Sequence, residues 1–105
     1  IKGCAHITGG GIKDNLSRVI PKGKCAQINL NKIKIKKVFS WLKKNNISER
    51  EMLKTFNCGV GFVLITKSKN FHKIKKYFKK DFAPYVIGKI TSGENKVLLN
   101  GQINW

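Results

Sequence analysis

Apolar residues occur along the chain in two kinds of run. Some runs are short and are either continuous or alternate with polar residues, and the others have helical spacing. The first pattern predicts strands and the second predicts amphipathic helices. The predicted strands are residues 2–8, 25–30, 58–66, 83–90 and 96–99, and the predicted helices are 14–20, 35–45, one that starts at Ser48, and 70–80. Strands that alternate with helices favour an α/β (α+β) fold, with helices packed on a mixed β-sheet.

The first predicted helix follows a run of three glycines. Asp14 is a good N-cap, Leu16, Val19 and Ile20 form one apolar face, and Pro21 ends the helix. The sequence therefore predicts a strand, a glycine loop and a short helix in that order.

The start of the third helix is marked by Ser48 and Glu51, which have the spacing of a capping box. This assignment uses the Glu51 carboxylate at the helix start. The side of the helix expected to be buried carries Met52, Leu53 and Phe56.

The two lysine-rich helices are predicted to bury their aromatic faces. We expect clusters of Val38, Phe39, Trp41 and Leu42 in one and of Phe71, Ile74, Tyr77 and Phe78 in the other. His72 falls among the lysines, so we expect it at the surface.

The remaining strands have distinct expected surroundings. Residues 58–66, CGVGFVLIT, are almost wholly apolar, which predicts a strand covered on both faces. Residues 83–90 and 96–99 flank the turn SGEN and are predicted to form an antiparallel hairpin.

Composition bounds the class of protein. The 105 residues are 41% hydrophobic, which is enough for one globular domain, and no stretch has the roughly 20 apolar residues that span a bilayer. Neither a signal peptide nor an initiator methionine begins the chain, so we expect a piece of a longer protein. The odd number of cysteines and the absence of a CxxC pair argue against disulfide or zinc frameworks. We expect Cys4, Cys25 and Cys58 to be buried structural residues in a cytoplasmic protein.

The net charge of +17 leaves two interpretations open. A basic module that binds RNA or DNA is one. However, 20 of the 22 basic residues are lysine, and isoleucine and asparagine are also frequent, a bias that AT-rich codons produce. Because arginine is the better reader of bases and phosphates, we expect no dedicated nucleic-acid role. Since no apolar stretch is long enough to span a bilayer, we also expect no membrane role. Attraction of anionic substrates follows from the same charge.

The stretch AHITGGG, residues 5–11, admits two interpretations. It is either a tight turn from a strand into a helix, or a cradle in which the N–H groups of Gly9, Gly10 and Gly11 face a phosphate. Neither the GxGxxG nor the GxxxxGK[ST] fingerprint is present.

Two segments together resemble the signature segments of the phosphoribosylformylglycinamidine cyclo-ligase (AIR synthetase) family. They are AHITGGGIKDNLSRVIP, residues 5–21, and EMLKTFNCGVGFVLI, residues 51–65. The family pattern resembles AHxTGGGxxxNxxRxxP followed by EMxxTFNxGxGM, and the order and spacing match. Family members have Met where this chain has Phe62, a mild apolar exchange.

The resemblance implies an enzyme that closes the imidazole ring of purine biosynthesis. In this family ATP activates the formamide oxygen of formylglycinamidine ribonucleotide, and the products are aminoimidazole ribonucleotide, ADP and phosphate. The resemblance also implies a domain of α/β/α layers, magnesium, a cytoplasmic homodimer and an active site between two domains. Residues 1–105 resemble the later part of the second domain, so the nucleotide-binding first domain has no counterpart here, and we expect no turnover by these residues alone. A superfamily relative that acts on another phosphorylated substrate is the remaining alternative.

The resemblance also nominates site residues. His6 is the candidate catalytic residue, and the candidates for substrate or phosphate binding are Thr8, Gly9, Gly10, Gly11, Asn15, Arg18 and Asn57. Structural alternatives stay open for four of them: a satisfied core histidine at 6, a helix-turn role at 15, an ion pair at 18 and a turn cap at 57. No metal ligand is predicted.

Overall fold

The computed structural model describes residues 1–105. It contains the strands β1 (Gly3–His6), β2 (Lys24–Asn29), β3 (Phe62–Ile65), β4 (Gly88–Ser92) and β5 (Lys96–Asn100). The helices are α1 (Gly11–Ser17), α2 (Lys37–Lys44), α3 (Glu49–Thr55) and α4 (Phe71–Lys75). Short 3-10 turns lie at Leu30–Lys32, Ser68–Asn70 and Lys80–Phe82.

The strands form two sheets rather than one. β1 and β3 make an antiparallel pair, and a mixed three-stranded sheet has the order β4-β2-β5. In the mixed sheet β2 pairs antiparallel with β4 and parallel with β5. The predicted combination of a mixed sheet with packed helices is therefore confirmed, with the β1–β3 pair as a second sheet.

The predicted hairpin of the last two strands is wrong. β2 lies between β4 and β5, so these two strands run in opposite directions without pairing with each other. Their connection passes the start of β2, where the Gly93 N–H donates a hydrogen bond to the Gly23 carbonyl at 3.1 Å. Alternation and turn residues predict two antiparallel strands, but they do not show whether a third strand separates them.

One hydrophobic core joins both sheets to α1 and α3. Ile12 and Leu16 of α1 and Met52 of α3 are buried in the same cluster as Ile28 of β2 and Val97 of β5. This shared cluster places α1 on one face of the mixed sheet and leaves the other face of that sheet for polar side chains.

The first helix begins three residues earlier than predicted. Its N-cap is Gly10, in the left-handed conformation at φ +97°, whereas Asp14 lies inside the helix. Glycine adopts a positive φ without the steric cost that a Cβ atom brings. The helix therefore starts directly from the glycines.

The predicted strand 58–66 begins only at Phe62. Cys58 and Gly59 have φ values of +53° and +93°, which interrupt an extended chain. The expectation that this strand is covered on both faces is also wrong, because Phe62 is 57% exposed while Val63 is buried.

The lysine-rich helices bury less than predicted. In α2, Phe39 and Leu42 pack against the core, but Trp41 is 63% exposed. The helix α4 ends at Lys75, and the predicted inward residues Tyr77 and Phe78 lie beyond it and are exposed. A run of aromatic residues between lysines thus does not show where a helix stops.

Three smaller expectations have mixed outcomes. Cys25 and Cys58 are buried as predicted, but Cys4 is exposed because it points away from the core on β1. His72 is exposed as predicted. None of the helices combines the length and apolar character needed to cross a membrane.

Candidate functional site

The candidate site is built around the glycine loop, which we define as residues 8–11, between β1 and α1. The Ile7 N–H, one residue before the loop, donates a hydrogen bond to the Gly61 carbonyl at 2.9 Å. This bond fixes the end of β1 beside the residues that precede β3. The two motif segments of the sequence therefore meet at the glycine loop.

The buried side chain of Asn15 holds the glycine loop from inside. Its Nδ2 donates to the carbonyl oxygens of Thr8 and Gly9, both at 3.2 Å, and of Gly11 at 2.8 Å. The Thr8 hydroxyl donates to the Asn15 Oδ1 at 3.3 Å. Asn15 is 5% exposed and is the one fully buried polar residue of the chain. Its amide therefore determines the shape of the loop.

Each of the three glycines has a different structural reason. Gly10 and Gly11 have φ values of +97° and +70°, which glycine tolerates best. A Cβ atom on Gly11 would lie 1.8 Å from the Leu53 carbonyl oxygen of α3. By contrast, a Cβ atom on Gly9 would meet nothing within 4 Å. Packing therefore explains Gly11, backbone conformation explains Gly10, and neither explains Gly9.

The direction of the backbone N–H groups corrects one expectation. The Gly11 N–H donates to the Thr8 carbonyl at 3.1 Å, so it does not face a ligand. Gly9 and Gly10 lie outside the regular elements, and their N–H groups have no backbone acceptor. Gly9 is exposed and Gly10 half-buried. Two N–H groups of the loop, rather than three, are therefore without a backbone acceptor.

His6 lies at the end of β1, two residues before the loop. It is exposed, opposite Phe62 in the sheet register, and the two ring centroids are 6.1 Å apart. The alternative of a satisfied core histidine is therefore wrong. Its imidazole is accessible to a ligand.

The structure does not bring Arg18 to the glycine loop. Arg18 is exposed at the C-terminal end of α1, while the loop lies at the N-terminal end. A seven-residue helix is about 10 Å long, so the two features are roughly that far apart.

Asn57 belongs to a second turn, which we name the cysteine turn and define as residues 57–60. Its Oδ1 accepts a hydrogen bond from the Gly59 N–H at 2.9 Å. The Val60 N–H donates to the Asn57 carbonyl at 3.0 Å, and both central residues have positive φ, as a type I′ turn requires. The side chain thus caps the turn, which was the structural alternative for this residue.

The thiol of Cys58 is buried within the cysteine turn. It donates to the carbonyl oxygens of Met52 at 3.6 Å and Phe56 at 3.8 Å. Burial, with a smaller contribution from the negative charge of Glu49, raises the pKa of the thiol to about 11. Since the thiolate is the nucleophilic form, Cys58 is an inert structural residue.

Helix α3 contributes backbone groups that the sequence did not suggest. Its start is capped as predicted, since the Ser48 hydroxyl accepts the Glu51 N–H at 3.1 Å. The Glu51 carboxylate instead accepts the Thr55 hydroxyl at 2.7 Å, which corrects its assignment to the capping box. The carbonyls of Leu53 and Phe56 face Gly11. In the sequence, this contact was indicated only by the presence of both motif segments, residues 5–21 and 51–65, in the same chain.

A family model decides the relationship. Residues 1–100 match the model described as "AIR synthase related protein, C-terminal domain". The chain belongs to this family. Phosphoribosylformylglycinamidine cyclo-ligase of Carboxydothermus hydrogenoformans is 45% identical to it over 102 residues, which are 95% of this chain and 29% of the relative. The chain thus spans less than a third of the length of that relative.

These similarities bear on the open alternatives. Both comparisons support the resemblance seen in the two motif segments, and the closely related relative carries the name of a ligase. They do not favour a basic module that binds RNA or DNA.

Proposed function

We propose that this chain is part of an ATP-dependent cyclo-ligase that converts formylglycinamidine ribonucleotide to aminoimidazole ribonucleotide with release of ADP and phosphate. The support is membership in the AIR synthase related family and the 45% identity to a named cyclo-ligase. The shared region includes the glycine loop and the cysteine turn.

One observation carries the role of this chain: Gly9 is open to solvent in a loop that Asn15 fixes from the buried side. Backbone N–H groups that need no reorganisation are good donors to phosphate oxygens. We assign the N–H groups of Gly9 and Gly10, with the exposed Thr8, to a phosphate of the substrate. Gly11 and Asn15 shape the loop and do not touch the ligand.

His6 is the proposed catalytic residue. It is exposed two residues before the glycine loop, and its imidazole can donate a hydrogen bond to a phosphate oxygen or to the oxygen that gains charge during ring closure. Arg18 and Asn57 stay predictions as substrate-binding residues. Neither is assigned to the phosphate at the loop, because Arg18 lies at the far end of α1 and the Asn57 side chain caps the cysteine turn.

ATP and magnesium belong to the proposal only through the family resemblance. The chain has no group of three or more His, Cys, Asp or Glu side chains that could hold a metal ion. We therefore derive no step through magnesium from these residues. The phosphate chemistry that ATP supplies when bound is compatible with the two open N–H groups of the glycine loop.

Three further parts of the proposal concern the whole protein. We propose a homodimer, a cytoplasmic location and an active site shared with a nucleotide-binding domain. Each rests on the family resemblance. We also propose that residues 1–105 alone bind phosphate or sulfate without turnover, since catalysis requires a nucleotide placed by other groups.

The test is a substitution in a complete enzyme that contains this sequence. We expect His6→Ala to lower the rate of substrate-dependent ADP release about 10²–10³-fold, because one donor to a developing charge is worth about that much. The melting temperature should change little, since His6 is exposed. A complete wild-type enzyme that releases no ADP with formylglycinamidine ribonucleotide would contradict the proposed reaction. A His6→Ala variant at the parent rate would contradict only the role of His6.

A further inference from the structure

The face of the mixed sheet that points away from α1 carries a group of polar side chains. Gln27 lies opposite Lys89 on β4, and Asn29 lies opposite Asn100 on β5, so the register places these four on the same face. The intervening Ile28 points to the opposite face and into the core. Two sheet edges and the central strand thus converge on one polar surface.

This surface contains a cavity of about 500 Å³, which we call the polar cavity. Its lining residues are Gln27, Asn29, Lys32, Val86, Gly88, Lys89 and Asn100. Small-molecule sites in proteins commonly have volumes of about 300–1,000 Å³. Because Val86 is the one hydrophobic residue of the lining, the cavity suits a hydrophilic ligand rather than an apolar one.

Asn29 and Asn100 offer amide donors to the cavity, whereas Gln27 already uses one of its donors within the sheet. The Oδ1 of Asn29 accepts the Asn31 N–H at 3.0 Å, which leaves its Nδ2 free to donate. The Nε2 of Gln27 donates to the Thr91 hydroxyl at 3.0 Å, which orients this side chain at the cavity wall. Asn100 is exposed, and its amide can turn a donor toward a ligand.

The charge of the polar cavity has one sign. Lys32 and Lys89 line it, and no carboxylate does. The five acidic residues of the chain all lie outside the lining: Asp14, Glu49, Glu51, Asp81 and Glu94. Two ammonium groups beside amide donors, without a competing carboxylate, match the acceptor-rich surface of a phosphate group.

From this arrangement we propose that the polar cavity is a second anion site, which binds a small phosphorylated molecule on the face of the sheet opposite α1. It is separate from the glycine loop, because Ile12 and Leu16 of α1 pack on the core side of the sheet. The proposal does not depend on the proposed reaction. The sheet register fixes the backbone positions of four lining residues, Gln27, Asn29, Lys89 and Asn100, on neighbouring strands.

The test is a titration of the 105-residue chain with inorganic pyrophosphate at 0.15 M salt, followed by backbone and side-chain amide NMR shifts. We expect saturable shifts at Gln27, Asn29 and Asn100. The double variant Lys32→Gln/Lys89→Gln should weaken binding at least about tenfold, since each charge-assisted contact contributes that order of affinity. The matched control Lys73→Gln/Lys76→Gln removes the same charge from exposed positions 73 and 76 and should leave the affinity unchanged.

Additional variants separate the possible outcomes. Asn100→Asp keeps the size of the side chain but adds a negative charge, so it should abolish the saturable shifts. Responses of Gly9 and Gly10 report on the glycine loop and should be equal in wild type and in Lys32→Gln/Lys89→Gln. Equal weakening by both lysine pairs would overturn the proposal in favour of general attraction by the net charge. A response to single-stranded RNA but not to pyrophosphate, or no saturable shift, would also overturn it.

Discussion

Two glycine-containing turns meet at the same end of the β1–β3 sheet, and an asparagine side chain holds each. In the glycine loop, Asn15 donates to three carbonyl oxygens and leaves Gly9 in open space. In the cysteine turn, Asn57 accepts one N–H, and the chain folds over the buried thiol of Cys58. The same residue types thus produce an open loop in one place and a closed turn in the other. The difference is that Asn15 donates hydrogen bonds through its Nδ2, whereas Asn57 accepts one through its Oδ1.

The largest expected effect is that of Gly11→Ala. The added Cβ atom would collide with the Leu53 carbonyl at 1.8 Å and would force a non-glycine residue to φ +70°. Strain of this kind together with overpacking should lower the free energy of unfolding by at least about 3 kcal/mol. Urea denaturation measures this change, with Gly9→Ala as the matched control, which should stay within about 0.5 kcal/mol of wild type. Equal losses in the two variants would contradict the different roles given to the two glycines.

A somewhat smaller effect is expected for Asn15→Ala. The substitution removes the amide that bonds to three loop carbonyl oxygens, which should cost about 2–3 kcal/mol of unfolding free energy. The counterpart Asn57→Ala removes a single hydrogen bond in a half-exposed turn and should cost about 1 kcal/mol. Thermal and urea unfolding of both variants give the comparison. If Asn57→Ala were the more damaging, the cysteine turn rather than the glycine loop would be the more tightly held of the two.

The cysteine turn should also weaken the fold in alkali. The unfolded thiol loses its proton near pH 9.0, whereas burial keeps Cys58 protonated in the folded chain until about pH 11. Because the folded chain holds the Cys58 proton more tightly than the unfolded chain, the contribution of this thiol to stability is complete below pH 9. It is lost as the pH rises from 9 through 11. The loss between pH 9 and 11 should reach up to about 2 kcal/mol.

The control for this prediction is Cys58→Ala, which keeps every other ionisable group of the chain. Unfolding free energies measured at pH 8, 9, 10 and 11 should fall more steeply in wild type than in Cys58→Ala. Parallel curves for the two proteins would show that the thiol is not desolvated in the folded chain.

Much of the fold follows from local sequence patterns. The position of β2, the cap at Ser48 and the α/β class are readable because each depends on neighbouring residues. The separation of β4 and β5 was not predictable, because it depends on a strand more than 60 positions earlier in the chain that lies between them. The left-handed conformation of Cys58 was also hidden, since that residue type rarely adopts it.

The sequence predicted where the candidate site lies, but it did not predict the role of each residue in it. The motif placed the glycine loop correctly, yet it treated three glycines alike although only Gly9 has free space around an added Cβ atom. The carbonyl of Leu53, which excludes a side chain at Gly11, belongs to a helix some 40 positions away. Whether the side-chain amide of a residue such as Asn15 acts as a donor or an acceptor depends on the groups that surround it after folding. Tertiary contacts therefore decide which motif residues touch a ligand and which hold the loop.

The central claim is that Gly9 is kept small for a ligand and not for the fold. In a complete enzyme containing this sequence, Gly9→Val should lower the rate of ADP release about 100-fold, because a displacement of about 1 Å can cost that much. Its unfolding free energy should stay within about 1 kcal/mol of wild type, since nothing lies within 4 Å of the added Cβ atom. A Gly9→Val enzyme that is equally stable and retains the wild-type rate would contradict the claim.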